Sequence, residues 1–141
     1  MKSTEQSLGW ISPVGFAGIQ PYFTGTHSAP DLRKNIGAFP PNYIHSLDAA
    51  HMIMTSIECH NANIEFVAVH DCFWTHACSV PTMSKILRDE FVNLHKEPLL
   101  QTLKEDLFTA LPQHSRNSFP DIPNKGTLNI DMVPKSEFFF C

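Results

Sequence analysis

The 141-residue chain, 43% hydrophobic and 11% aromatic, can bury one modest core, which excludes a multidomain machine and points to one domain or one piece of one. Lys plus Arg number 10 against 14 Asp plus Glu, a formal charge of -4, so there is no basic surplus to hold a phosphate backbone and autonomous nucleic-acid binding is disfavoured. Charged residues are 17% of the chain against about 25% in an average soluble domain, which suggests faces that neighbours cover.

Residues 1–18 contain one lysine and none of the continuous apolar run of about 7 to 15 residues that a signal peptide needs, so no secretory or organellar address is expected there. Frequent glycine and proline, ending in Pro40-Pro41, make residues 1–41 read as an irregular segment with at most a short strand near 8–11. Beyond that stop, residues 42–61 lack both punctuators, and Leu47, Ala50, Met54 and Ile57 recur at helical spacing, with Asn42 available as N-cap. Residues 64–69 (IEFVAV) are short, branched and apolar as in a buried strand, and 72–78 (CFWTHAC) alternate bulky apolar with polar residues. Only His70 and Asp71 separate them, which predicts a hairpin without the glycine that tight primed turns favour.

Met83, Ile86, Leu87, Phe91 and Leu94 predict a helix over 82–96, led by Pro81. Leu99, Leu103, Leu107 and Leu111 predict another over 98–111, which Pro112 ends. Residues 113–127 read as loop, 131–133 as a turn of helix, and the chain closes on Phe-Phe-Phe-Cys. The longest apolar runs, 66–69 and 138–141, fall far short of the roughly 20 residues of a membrane span, so no membrane partner is expected. Cys59, Cys72, Cys78 and Cys141 include no C-x-x-C pair, which argues against a secreted disulfide framework.

The most informative feature is Asp71 at the tip of an apolar hairpin. A carboxylate is expensive to bury among hydrophobic strands, so a tip aspartate is either solvated, the commoner case, or paired with a cation. A zinc set drawn from His51, Cys59, His60, His70, Asp71, Cys72, His76 and Cys78 is a weaker option, because a contiguous strand cannot wrap a tetrahedron. His45, Asp48 and His51 form a possible polar stripe, ordinarily a solvated helix face. Cys-His hydrolysis with Cys72 as the nucleophile is weaker still, since a neighbouring aspartate opposes a thiolate.

GAFPPNYIHSLDAAHM (residues 37–52) followed by VAVHDCFWTHA (67–77) closely resembles the C-terminal palm region of the single-subunit, bacteriophage-type DNA-directed RNA polymerases, and residues 72–76 look like the mitochondrial branch. The likeness continues through FVNLHKEPLLQTL (91–103) and is thinner at LGWISPVGF (8–16) and PNKGTLNI (123–130). The resemblance implies an α+β palm-subdomain fragment with an antiparallel hairpin flanked by helices: an irregular segment 1–41, a palm core 42–111 and a loop and tail 112–141. It further implies that Asp71 is one of two catalytic carboxylates holding two Mg²⁺ ions. His70 would stand beside it, His45 would approach the primer-template minor groove, and the carboxylate of Cys141 would lie near the active centre. Template DNA, nascent RNA and mitochondrial initiation factors are the implied partners, and the mitochondrion the implied location.

The family's second metal aspartate and its nucleotide-binding lysine and tyrosine belong upstream of Met1, and the segment between residues 21 and 37 looks shorter than in relatives. The expectation is therefore a C-terminal piece of a polymerase, inactive alone. A non-catalytic truncated palm and a small zinc module are the alternatives. With about three helices to cover it, the hairpin and the Phe138–Phe140 tail are expected to leave apolar surface exposed.

Overall fold

A computed structural model describes residues 8–25, 29–69, 71–111 and 113–139. The chain divides into two compact units, Met1–Leu47 with Leu100–Ile122 and Asp48–Leu99 with Pro123–Cys141. The fold is α+β, with short antiparallel strand pairs and three α-helices among the described residues.

In the first unit, Trp10 lies on β1 (Gly9–Ile11), antiparallel to β2 (Ala17–Ile19) with Trp10 opposite Gly18. A Cβ on residue 18 would stand 2.4 Å from the indole, so glycine is what lets the ring cross the neighbouring strand. β3 (Phe23–Thr24) and β4 (Ala29–Pro30) make a second, two-rung pair. Asp31 then caps helix α1 (Leu32–Asn61): its Oδ1 accepts the Lys34 N–H at 3.1 Å and its carbonyl accepts that of Asn35 at 2.9 Å.

The short strand expected near 8–11 is β1, whereas the expected helix start at 42 and the irregular reading of the remainder of 1–41 are corrected. Pro40 and Pro41 lie inside α1. An interior proline costs about 3 kcal/mol, and aromatic packing across the pair offsets it. Phe39 and Tyr43 stack at 6.1 Å, and Trp10 meets them at ring separations of 5.4 and 6.2 Å. Trp10 Nε1 donates to Ser46 Oγ at 3.0 Å, and that hydroxyl donates to the Tyr43 carbonyl at 2.6 Å, tying the hairpin to the helix.

In the second unit, α1 buries His51, Thr55 and Cys59, four residues apart on one face. It ends in a Schellman motif, with Asn63 at φ 55°, Asn63 N–H donating to the His60 carbonyl and Ile64 N–H to that of Cys59. This turn delivers the chain to β5 (Val67–Val69) and β6 (Cys72–Trp74), which pair antiparallel. The strands are shorter than 64–69 and 72–78, and β5 is not buried on both faces, since Val67 and Val69 are 59% and 54% exposed.

Helix α2 (Val80–Lys96) follows a 3₁₀ turn at Ala77–Ser79 and carries Pro81 in its first turn, where a missing N–H costs nothing. Its Met83 and Leu87 join Cys59 in a core against which Ile64, Phe66, Phe73, Ile86 and Phe139 pack. Helix α3 (Leu99–Ala110) matches the leucine-spaced expectation, and 3₁₀ turns occupy Gln113–Ser118 and Ile130–Lys135. No helix among the described residues is long and apolar enough to cross a membrane.

Candidate active site

Val67 pairs with Trp74, Ala68 with Phe73 and Val69 with Cys72, which leaves His70 and Asp71 as the two-residue connection. A three-rung hairpin is marginal alone, so packing must hold it in place. Phe66 and Phe73 lie at 5.5 Å between ring centres on the inner side, within the core of Cys59, Met83 and Leu87. The Thr75 hydroxyl donates to the Glu65 carbonyl at 2.6 Å and closes the base. The effect is an exposed carboxylate on a short, anchored tip. The Cys72 thiol points at Asp71 Oδ1 from 3.8 Å, a weak contact that leaves the carboxylate open to a cation.

His45 is exposed on the part of α1 in the first unit, whereas Asp71 belongs to the second. His70 and Cys141 lie outside the described residues. His51, placed by spacing on a solvated stripe, is instead buried, with Nε2 2.8 Å from the Leu87 carbonyl and its ring edge-on to Phe91. Cys59 is also buried, and burial raises its thiol pKa, so it is a core residue. Cys72 and Cys78 are exposed free thiols. Among the described residues, no group of three or more His, Cys, Asp and Glu could hold a metal.

The donor chemistry of the tip nevertheless suits Mg²⁺, a hard cation that takes carboxylate oxygens and is commonly held by one or two of them plus substrate phosphates. Asp71 supplies one such group, and further ligands would have to come from outside the described set.

Residues 1–118 match the family model described as DNA-dependent RNA polymerase. The chain belongs to this family. It is 40% identical to DNA-directed RNA polymerase 3B, chloroplastic, of Nicotiana tabacum, over 96% of this chain and 15% of the relative. With DNA-directed RNA polymerase, mitochondrial, of Homo sapiens the identity is 36%, over 93% of this chain and 13% of the relative. With DNA-directed RNA polymerase 1, mitochondrial, of Arabidopsis thaliana it is 37%, over 98% and 16%. The chain thus spans about 15% of the length of these phage-type polymerases, which are mitochondrial and chloroplastic. The Arabidopsis match runs over 154 positions against 141 residues here, so that relative carries residues within the matched stretch that this polymerase chain lacks.

Proposed function

We propose that this chain is the C-terminal part of a DNA-directed RNA polymerase that transcribes mitochondrial DNA by two-metal transfer of nucleotides from ribonucleoside triphosphates. The observation that carries the reading is Asp71, exposed on a two-residue tip between apolar strands, in a chain of this polymerase family. Asp71 would hold Mg²⁺ together with a carboxylate from elsewhere in the enzyme. The chemistry that Mg²⁺ would supply when bound there is positive charge for activating the primer 3′-hydroxyl and for steadying the leaving pyrophosphate. The contribution of this chain is positional: short strands with inward Phe66 and Phe73 fix the carboxylate, and its exposure leaves both oxygens available.

His45 on α1 would reach toward the minor groove of the primer-template, His70 would flank Asp71, and the terminal carboxylate of Cys141 would lie near the reacting groups. Template DNA and nascent RNA are the partners this implies, with mitochondrial initiation factors at promoters. Residues 72–76, which resemble the mitochondrial branch rather than the phage enzymes, are the basis for naming the mitochondrion. With one of two metal carboxylates present, the isolated chain should be inactive.

The test is a chimera in which this chain replaces the matching part of the Homo sapiens mitochondrial polymerase. It should extend a primed template with labelled ribonucleotides, and Asp71→Asn should lower the rate by about 100-fold or more with little change in template affinity, because the charge lost binds the cation and not the DNA. Retention of a tenth of the rate would rule Asp71 out as a metal ligand. Incorporation by the 141-residue chain alone would refute its inactivity.

A further inference from the structure

The last described residues of the chain are fastened to α2, on the core that also anchors the Asp71 hairpin. Arg88 makes the join. Its Nη1 donates to the Ser136 carbonyl, and its guanidinium lies over the Phe139 ring, 5.4 Å from the centre. Phe91, nearly one turn along α2, meets Phe139 edge to face at 5.1 Å. Lys96, farther along the helix, pairs with Asp131 at 2.6 Å, although both are exposed and the pair is worth little. Phe139 thereby packs onto Cys59, Met83 and Leu87, the same cluster that receives Phe66 and Phe73 from the hairpin.

We infer that Arg88 and Phe139 are positioning residues for Asp71: the tail is a latch that completes the wall behind the hairpin and holds its tip in place. The hairpin needs such a wall. It has three paired positions, its outward Val67, Val69 and Trp74 are each at least half exposed, and nearly all its anchorage comes from inward side chains. Removing Phe139 takes one face from the cluster that Phe73 packs on, and Phe73 is two residues from Asp71. A cation over an aromatic face together with a hydrogen bond from the same guanidinium is specific to arginine, since lysine has no second planar donor to reach the carbonyl. The chemical consequence rests on the proposed role of Asp71 as a metal ligand. The latch itself does not.

Hydrogen–deuterium exchange read by mass spectrometry on the full 141-residue chain separates the two. Arg88→Gln and Phe139→Ala, made singly, should speed exchange of amides 67–74 about tenfold while leaving 48–61 of α1 unchanged, and Arg88→Lys should recover part of the protection. This readout involves neither metal nor catalysis, so its failure sinks the latch and leaves the polymerase reading intact, whereas an active Asp71→Asn chimera does the reverse. Equal acceleration in 48–61 would mean a general loss of stability and overturn the inference. So would faster exchange confined to 130–139, or no change in 67–74. If Phe139→Ala unfolds the unit, the comparison of Arg88→Gln with Arg88→Lys decides the question.

Discussion

His51 Nε2 donates to the Leu87 carbonyl at 2.8 Å, joining α1 to α2 through a buried imidazole. Donation from Nε2 fixes the neutral tautomer and leaves Nδ1 as the site that would take a second proton. Burial lowers the pKa of His51 below its ordinary 6.5, and nearby His95 lowers it further, while the Leu87 hydrogen bond and the carboxylates of Asp48 and Glu90 oppose the shift. Because the folded state holds the proton less tightly than the unfolded chain, stability from neutral His51 is complete above the unfolded pKa and falls as pH drops below about 6.5, levelling off below the folded pKa. The urea midpoint should therefore decrease between about pH 7.5 and 5.5, and His51→Gln should flatten that slope. An unchanged slope in the variant would show that another group carries it.

Thr55, on the same face of α1, is fully buried and its hydroxyl has no hydrogen-bond partner among the described residues. A buried unsatisfied hydroxyl costs about 1–3 kcal/mol, and valine keeps the branched shape without it. Thr55→Val should raise stability by roughly 1 kcal/mol in denaturant titration. A loss of stability would mean that the hydroxyl has a partner in solution.

Gly18 faces the Trp10 indole where a Cβ would come within 2.4 Å. Backbone and ring cannot both stay in place, so Gly18→Ala should destabilise the first unit by about 1–3 kcal/mol and displace the indole. The change is visible as a shift in tryptophan emission, since Trp10 is buried and Trp74 half exposed. Wild-type emission and stability in the variant would count against the close approach.

The second unit was the more legible in sequence because its signals are local. The apolar run 64–69 and the alternation over 72–78 mark the hairpin, the stripe from Met83 to Leu94 marks α2, and the apolar flanks of Asp71 mark the tip. The beginning of α1 was misread because Pro40-Pro41 is a strong local stop, whereas the features that override it are an Asp31 cap and a ring cluster with Trp10, which lies far back in the sequence. His51 was misread because spacing alone does not say which side of a polar stripe a neighbouring helix covers. The tail latch had no sequence signal, since Arg88 and Ser136 are 48 residues apart and either reads as an ordinary polar residue.

Apolar surface is left open in the first unit. Register places Ile11 and Ile19 on the outer face of β1 and β2, opposite the face carrying Trp10, and they are 53% and 63% exposed with Phe16 beside them. Leu32 and Ile36, one turn apart on α1, are more exposed still. Single exposed hydrophobics are ordinary, but contiguous patches beyond a few hundred Å² favour association. With a net charge of only -4 there is little repulsion to oppose it. The isolated chain should therefore associate as its concentration rises and bind a hydrophobic dye. Ile19→Lys combined with Ile36→Glu should shift it toward monomer in sedimentation velocity without lowering its melting temperature, because neither residue contributes to the core. A wild-type chain that stays monomeric up to its solubility limit and ignores the dye would defeat the prediction. It would also weaken the view that these faces are normally covered by the remainder of a polymerase.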